Sequence, residues 1–258
     1  MMYYGESLSG FHLPFNFHLI STPWNAPAVA ALVNDYERAL PAGGWPNWVL
    51  GNHDKPRVAT RLGGVQQARL AAVLLLTLRG TPTIYNGDEI GMQDGVIPPD
   101  KIQDPWEKNL PGLGLGRDPC RTPLVWTNAA KAGFTCAEPW LPITQDVATC
   151  NVASQREDLQ SLLMLYRRLI SLRRAEPALA VGDYRHIRVT DHTYEFERSW
   201  QDRRLLIALN FSGSTQPLTF EDDVHLVLST NPNRRIPLCS GTELEPFEGI
   251  IAAGAQLT

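Results

Sequence analysis

A carboxylate and an imidazole stand side by side in the tripeptide Asn52-His53-Asp54. The tripeptide directly follows a short apolar run, Trp48-Val-Leu50, a pattern typical of a buried parallel strand that ends in a polar loop. In β/α architectures, ligands bind at the carboxyl ends of the strands. The sequence therefore predicts a ligand-binding position at His53 and Asp54. The tripeptide alone is weak evidence, and the alternative is an ordinary polar loop.

The elements around this loop follow a regular order. An alternation of apolar and polar residues predicts a strand at 11–19, and short apolar runs predict strands at 47–51 and 81–85. Helical spacing of apolar residues predicts helices at 27–40 and 64–79 between them. Strands that alternate with helices indicate right-handed βαβ units around a parallel sheet.

The second half of the chain changes character. Residues 93–153 are rich in Pro, Gly and Asp without clear periodicity, which is typical of a long functional loop. A helix is predicted at 154–174, where Ser154 and Glu157 form a capping-box pattern. Four strand-like runs follow at 184–190, 193–200, 204–211 and 224–229. Because no helices separate them, they favour an antiparallel sandwich.

Bulk composition excludes several classes of protein. The chain has 258 residues, of which 43% are hydrophobic, and a net charge of −4, so neither a nucleic acid nor a membrane is expected as a partner. The sequence contains no apolar run of about 18 residues for a membrane span. The first residues resemble no secretory signal, which indicates a cytoplasmic location.

No metal ion or other cofactor is predicted. The four cysteines, Cys120, Cys136, Cys150 and Cys239, form no C-x-x-C pair and are expected to be unpaired thiols. Three acidic residues in the long loop do not follow the calcium-loop pattern, namely Asp94, Asp100 and Asp104.

Three segments carry a family resemblance: Trp48-Val-Leu-Gly-Asn-His-Asp-Lys-Pro-Arg57, the Gly80–Met92 stretch with Gly87-Asp-Glu-Ile-Gly91, and Gly116-Arg-Asp-Pro-Cys-Arg-Thr-Pro-Leu-Val-Trp126. In this order they resemble the late motifs of glycoside hydrolase family 13, specifically its α-glucosidase and oligo-1,6-glucosidase branch. The resemblance implies an α/β region followed by an all-β region. The first would supply the last three βα units of a (β/α)8 TIM barrel in residues 1–180, with strands six to eight and the final helices. The resemblance implies strand six at 11–20, strand seven at 47–52 and strand eight at 81–86. The second would be a C-terminal antiparallel β-sandwich domain in residues 181–258.

The resemblance also implies site residues. Retaining glycosidases use two carboxyl groups, a nucleophile and an acid/base, and the family's motifs for both have no counterpart in this chain. The family's third carboxylate matches Asp54, which implies that Asp54 stabilises an oxocarbenium-like transition state. His53 is then expected to donate a hydrogen bond to the same sugar, and Arg57 to form a wall of the pocket.

Two further arginines have two open interpretations. Arg117 and Arg121 either line the acceptor side of the substrate site or form structural ion pairs. The neighbouring carboxyls of Asp88 and Glu89 are not expected to act as a catalytic pair, because adjacent side chains on an extended segment point to opposite faces.

The resulting hypothesis is the C-terminal portion of an α-glucosidase-like hydrolase that cleaves short α-glucosides such as maltose or isomaltose and is inactive alone. Its expected partners are the oligosaccharide substrate and either the missing N-terminal barrel portion or a second copy of the chain. A non-catalytic carbohydrate-binding or assembly module is the alternative, and a chain with no function by itself is a third possibility.

Overall fold

The computed structural model describes residues 2–144, 146–218, 224–234, 238 and 241–254. Contacts divide the chain into two compact units. Unit 1 comprises Met1–Val49, Arg69–Thr83 and Arg168–Thr258, and unit 2 comprises Leu50–Ala68 and Ile84–Arg167. The division into domains at 180/181 stays a prediction.

The described chain contains short helices, a few longer ones, and strands concentrated after residue 182. The α-helices are α1 (His18–Ser21), α2 (Ala26–Ala39), α3 (Val58–Arg61), α4 (Val65–Thr77), α5 (Pro105–Asn109), α6 (Val152–Glu157), α7 (Leu162–Ala175) and α8 (Pro177–Ala180). Single 3-10 turns span Met2–Tyr4, Glu6–Leu8, Asp88–Ile90, Pro99–Lys101, Asp118–Arg121 and Ala130–Gly133. The strands are β1 (Asn47–Val49), β2 (Thr81–Thr83), β3 (Asp183–Val189), β4 (Thr193–Trp200), β5 (Arg203–Asn210), β6 (Gln216–Pro217), β7 (Val224–Ser229), β8 (Glu243–Leu244) and β9 (Gly249–Gly254).

Strands β1 and β2 form a short parallel pair in unit 1, with Trp48 opposite Pro82. The side chain of Trp48 is fully buried, and its indole Nε1 donates a hydrogen bond to Arg79 O at 2.7 Å. The strands predicted at 47–52 and 81–86 are therefore present and parallel, but shorter than predicted.

The strand predicted at 11–20 is wrong. Within the described residues its pairing is a single parallel bridge between Asn16 and Trp48, and α1 already begins at His18. Pro14 has no N–H to donate to a neighbouring strand. Alternating side chains alone therefore do not produce a strand here, because the backbone lacks partners along most of its length.

Helices α2 and α4 confirm the helices predicted at 27–40 and 64–79. The side chain of Asn25 caps α2 by accepting a hydrogen bond from Ala28 N at 2.9 Å. Polar side chains of Arg173 and Arg198 reach the carboxyl end of α4, where carbonyl groups have no partners within the helix.

The helix predicted at 154–174 is two helices, α6 and α7, separated at residues 158–161. Asn151 rather than Ser154 caps α6, since its Oδ1 accepts from Ser154 N at 2.7 Å. Ser161 begins the second helix by accepting from Met164 N through its Oγ at 3.2 Å. The apolar periodicity continues across the break, so the sequence pattern concealed it.

A five-stranded antiparallel sheet in the order β3-β4-β5-β9-β7 dominates the end of unit 1, and β6 pairs separately with β8. Four of these strands confirm the runs predicted at 184–190, 193–200, 204–211 and 224–229, to within one residue at each end. Strand β9 was not predicted: all six residues are buried, so its sequence shows no polar alternation.

Both faces of β9 are packed tightly. A cluster that includes Leu218, Leu244 and Ile250 covers one face of the sheet. Gly249 comes so close to α4 that an added Cβ would lie 3.2 Å from Leu70 Cδ1. No helix in the described part of the chain is long and apolar enough to cross a membrane.

Candidate active site

The candidate site lies in unit 2 and begins with the turn at residues 52–54. The side chain of Asn52 shapes this turn, because its Oδ1 accepts a hydrogen bond from Asp54 N at 3.0 Å. The side chain of Asp54 is 45% exposed, and that of His53 is 64% exposed. Both side chains are therefore accessible to a ligand.

Two arginines from the Gly116–Trp126 segment converge on Asp54. Arg117 Nη1 and Arg121 Nη2 each lie 3.1 Å from Asp54 Oδ1, and His53 Nε2 lies 3.4 Å from the same atom. Desolvation by burial raises the pKa of Asp54, but the hydrogen bond from Arg117 and the charges of His53, Arg117 and Arg121 outweigh it. The net pKa is below the ordinary value, so Asp54 is a carboxylate at neutral pH.

Arg117 is itself held by Asp104, whose carboxylate is fully buried. Arg117 Nε donates to Asp104 Oδ2 at 2.8 Å and Nη2 donates to Oδ1 at 2.9 Å, a two-point ion pair. The hydrogen bond from Arg117 is the largest influence on the pKa of Asp104, which lies far below its usual range. Sequence reasoning missed this partner, since Asp104 stands alone in a loop without periodicity.

Backbone contacts fix the loop that carries these arginines. Asp118 Oδ2 accepts from the backbone N of Gln103 at 2.6 Å and of Asp104 at 2.8 Å. Arg121 Nε donates to His53 O at 2.8 Å, which ties the loop to the turn that presents Asp54. Hydrogen bonds within unit 2 therefore hold Asp54, Arg117 and Arg121 next to one another.

Arg57 lies in a different place from the pocket wall expected of it. Its side chain is 1% exposed, with Nη1 donating to Asn86 O at 2.7 Å and Nη2 to Thr122 O at 3.2 Å. Its guanidinium stacks 5.2 Å from the centre of the Tyr85 ring. Gly87 makes room for it, since a Cβ there would lie 2.6 Å from Arg57 Nη1. This position corrects the expectation of a pocket wall: Arg57 holds the loops behind the site together.

Asp88 and Glu89 bind separate backbone groups. Tyr85 N donates to Asp88 Oδ2 at 3.3 Å, and Gly87 N donates to Glu89 Oε2 at 2.8 Å. Asp88 is buried, whereas Glu89 is half-buried. The two carboxyl groups therefore act in the structure of this turn and do not face a common ligand.

A cavity of about 480 Å³ opens beside Asp54. Its lining includes Asp54, Asp94, Ile97, Ile102, Leu115 and Arg117. Three further carboxylates border it, and each accepts hydrogen bonds from backbone N–H groups: Asp94 from Arg57, Glu107 from Gly112 and Gly116, and Asp118 from Gln103 and Asp104. Asp54, bound by side-chain cations, differs from these three.

The described residues contain no group of three or more histidines, cysteines or acidic residues arranged to hold a metal ion. Cys120, Cys136 and Cys150 are free thiols, while Cys239 lies outside the described residues. The prediction that no cofactor is needed stays a prediction.

The site's chemistry is that of an accessible carboxylate beside an imidazole and two guanidinium groups. Asp54 Oδ2 has no bond to either arginine among the contacts above, so it is available to accept hydrogen bonds from hydroxyl groups. The carboxylate also favours positive charge that develops on a nearby ligand.

The chain is similar to several proteins of known family and structure. The family model described as the alpha amylase catalytic domain matches residues 3–182. Maltase A1 of Drosophila melanogaster is 36% identical over 83% of this chain, which corresponds to 38% of its own length. An amino acid transporter heavy chain of Homo sapiens is 33% identical over 83% of this chain and 31% of its own.

The fold has solved counterparts. The crystal structure of the alpha-glucosyl transfer enzyme XgtA superimposes with a TM-score of 0.87 and 29% sequence identity. The match covers 98% of this chain and 48% of that enzyme. The chain thus spans less than half the length of each of these three relatives.

Proposed function

Because the chain belongs to the α-amylase family of glycoside hydrolases, glycoside hydrolase family 13, we propose that it is the C-terminal portion of an α-glucosidase-like hydrolase. Its substrates are short α-glucosides of the maltose or isomaltose type. The observation that carries this proposal is Asp54, an exposed carboxylate bound by Arg117 and Arg121 beside a cavity. A sugar ring is a polyol that such a group binds through its hydroxyls.

In this proposal Asp54 acts on the transition state of a retaining mechanism. Positive charge develops on the sugar as the glycosidic bond breaks, and a fixed carboxylate stabilises that charge more than it stabilises the neutral substrate. His53 lies next to Asp54 with an exposed ring and donates a hydrogen bond to the same sugar. Its bond strengthens as the sugar becomes cationic.

The nucleophile and the acid/base lie outside these 258 residues. The carboxylates bordering the cavity support this, because Asp94, Glu107 and Asp118 already accept hydrogen bonds from backbone N–H groups. The partner that completes the site is the N-terminal portion of a family barrel. The alternative partner, a second copy of the chain, would not supply the missing carboxyl motifs.

The same proposal accounts for the elements. Strands β1 and β2 are parts of strands seven and eight of a (β/α)8 barrel in residues 1–180, and the single bridge at Asn16 marks the position of strand six. The five-stranded sheet and the β6–β8 pair form the two layers of a C-terminal sandwich in residues 181–258. Arg117 and Arg121 form ion pairs with Asp54, and in this proposal they also line the acceptor side of the substrate site.

The first test is activity of the pure chain on p-nitrophenyl α-glucoside. We expect no hydrolysis above the buffer background, because both reacting carboxyl groups are missing and enzymes lower such barriers by about 8–23 kcal/mol. Turnover that disappears when Asp88 or Glu89 is replaced would contradict the proposal and assign the chemistry to that pair.

The second test places the chain behind the N-terminal barrel portion of a related α-glucosidase. There Asp54→Asn is expected to lower kcat at least about a hundredfold, since an amide keeps the size but loses the charge, about 3 kcal/mol of transition-state stabilisation. Asp100→Asn is the control for the loss of a surface carboxylate, because Asp100 is an exposed aspartate in another loop of unit 2. An Asp54→Asn enzyme with the parent kcat would remove Asp54 from the mechanism.

A non-catalytic carbohydrate-binding or assembly module is the second candidate. One observation favours it: a relative at 33% identity is named as a transporter heavy chain and not as a glucosidase. Calorimetric titration of the pure chain with maltose separates the candidates. Binding that persists in Asp54→Asn would favour a module whose sugar site lies elsewhere.

A further inference from the structure

The guanidinium of Arg117 is divided between two carboxylates. Asp104 takes the edge formed by Nε and Nη2, at 2.8 and 2.9 Å, and leaves Nη1 to reach Asp54 at 3.1 Å. A guanidinium is planar and rigid, so a two-point pair on one edge fixes the plane and therefore the direction of the remaining nitrogen. Arg117 N also donates to Asp104 Oδ2, at 2.7 Å, which anchors the same residue a third time.

Asp104 is held in place by contacts other than its ion pair with Arg117. Its carboxylate caps α5 by accepting from Trp106 N at 3.2 Å, and its backbone N donates to Asp118 Oδ2 at 2.8 Å. Its side chain is fully buried, while that of Arg117 is partly exposed. The rigid member of the pair is therefore Asp104, and the orientation of Arg117 depends on it.

We propose that Asp104 is a positioning residue for Asp54: it locks Arg117 so that Nη1 holds the Asp54 carboxylate in place. The consequence for catalysis rests on the proposed function of Asp54. The positional part does not, because it concerns contacts within this chain alone. Asp104 itself does not contact the sugar in this proposal.

A positioning role of Asp104 and a purely electrostatic role predict opposite shifts in the pKa of Asp54. If Asp104 acts only as a negative charge, its removal leaves Arg117 more attractive to Asp54 and lowers the pKa of Asp54. If Asp104 positions Arg117, its removal frees the guanidinium to rotate into solvent, and the pKa of Asp54 rises towards the ordinary value. The charged side chains of Arg117 and Arg121 and the imidazole of His53 face Asp54, and of these three groups only Arg117 forms an ion pair with Asp104.

The experiment is a carbon-13 NMR titration of the Asp54 carboxyl in the full chain, with Asp54→Asn used to assign the signal. Asp104→Asn is expected to raise the pKa of Asp54, whereas the exposed control Asp100→Asn leaves it unchanged. The Nε proton of Arg117 should also exchange with solvent at least about tenfold faster in Asp104→Asn, because its buried acceptor has lost its charge. A lowered or unchanged pKa of Asp54 overturns the proposal.

Asp104→Glu keeps the result decisive if the asparagine variant unfolds. Glutamate retains the charge but displaces the carboxylate by one methylene, so positioning predicts a smaller rise in the same direction and a pure charge effect predicts none. No step of the titration requires glucosidase activity. A rise in pKa without a kcat loss for Asp54→Asn in the complete enzyme would uphold the positioning role and reject the proposed function of Asp54.

Discussion

At the scale of single residues, Asp88 stands apart because its carboxyl is buried without full compensation. It is 5% exposed, its Oδ1 has no hydrogen-bond partner, and Oδ2 receives one bond from Tyr85 N at 3.3 Å. Burial raises the pKa of Asp88 to about 7, although the positive charges of Arg57 and Arg61 oppose the rise. The folded protein therefore binds this proton more tightly than the unfolded chain does.

The stability of the chain should consequently fall as the pH rises through the window between the two pKa values. An unfolded aspartate has a pKa of about 3.9, and the folded value is about 7. Between them the native state holds a proton that the unfolded state has lost, so the contribution is present below pH 4 and is lost as pH rises towards 7. The slope is on the order of 1 kcal/mol per pH unit.

Asp88→Asn removes this titration. We expect the variant to gain stability relative to the parent between pH 5 and pH 8, measured by urea unfolding at both values. Glu89→Gln is the control, since Glu89 is adjacent, half-buried and bonded to a different backbone N–H. Parallel pH profiles for Asp88→Asn and the parent would show that Asp88 ionises normally in the folded state.

Part of the candidate site could be predicted from the sequence. Asp54, Arg117 and Arg121 were selected from motifs, and the structure brings all three together. The position of Arg57 was predicted wrongly, because a sequence does not show which backbone carbonyl groups need a donor. In the structure the guanidinium of Arg57 donates to the carbonyl groups of Asn86 and Thr122. The role of Asp104 was not predicted, because its ion pair with Arg117 joins two residues that are 13 positions apart in an irregular loop.

At the scale of elements, the carboxyl end of α4 depends on arginines from distant parts of unit 1. Arg173 Nη1 donates to Leu76 O at 2.8 Å and Leu78 O at 3.0 Å, and its Nη2 donates to Gly80 O. Arg198, fully buried, donates to Thr77 O at 2.6 Å. Burial lowers the pKa of Arg173 to about 10 and that of Arg198 to about 9, so both arginines remain charged at neutral pH and complement the helix dipole.

Replacing Arg173 by Met should therefore destabilise the chain by roughly 2–4 kcal/mol, because three carbonyl groups lose a charged donor. Thermal or urea unfolding measures the loss. Arg174→Met is a matched control, since Arg174 is the next residue on the same helix and is exposed. Equal effects of the two substitutions would mean that the cap contributes nothing beyond the loss of an arginine.

Element boundaries were predictable where apolar and polar residues recur at a regular spacing in the sequence, even in β4, whose first six residues are all buried. Helix α2 and strands β3, β4, β5 and β7 follow their patterns closely. Strand β9 lies between β5 and β7 with every residue buried, so periodicity gave no signal. The break between α6 and α7 follows from the two capping residues, Asn151 for α6 and Ser161 for α7. The sequence pattern favoured Ser154 as the cap, and the local backbone geometry that selects Asn151 is not visible in the sequence.

At the scale of the whole molecule, the N-terminal segment presents an apolar surface to solvent. This N-terminal apolar patch consists of Tyr3, Phe11, Leu13, Phe15 and Phe17, which line one open groove. The rings of Phe15 and Phe17 are stacked with centroids 5.6 Å apart, and both are at least half exposed. Contiguous exposed apolar patches mark surfaces that bind another protein surface.

The pure chain is accordingly expected to self-associate, and co-expression with the N-terminal barrel portion of a related α-glucosidase is expected to suppress this association. Size-exclusion chromatography with light scattering measures both. Substitution of Phe15 and Phe17 by Ser should shift the chain towards monomer, because it removes the stacked centre of the N-terminal apolar patch. Phe134→Ser, at a 48% exposed ring outside the patch, is the control and should change nothing. A thermally cooperative monomer at high concentration would mean that this surface needs no partner, and the proposal of an incomplete barrel would then fall with it.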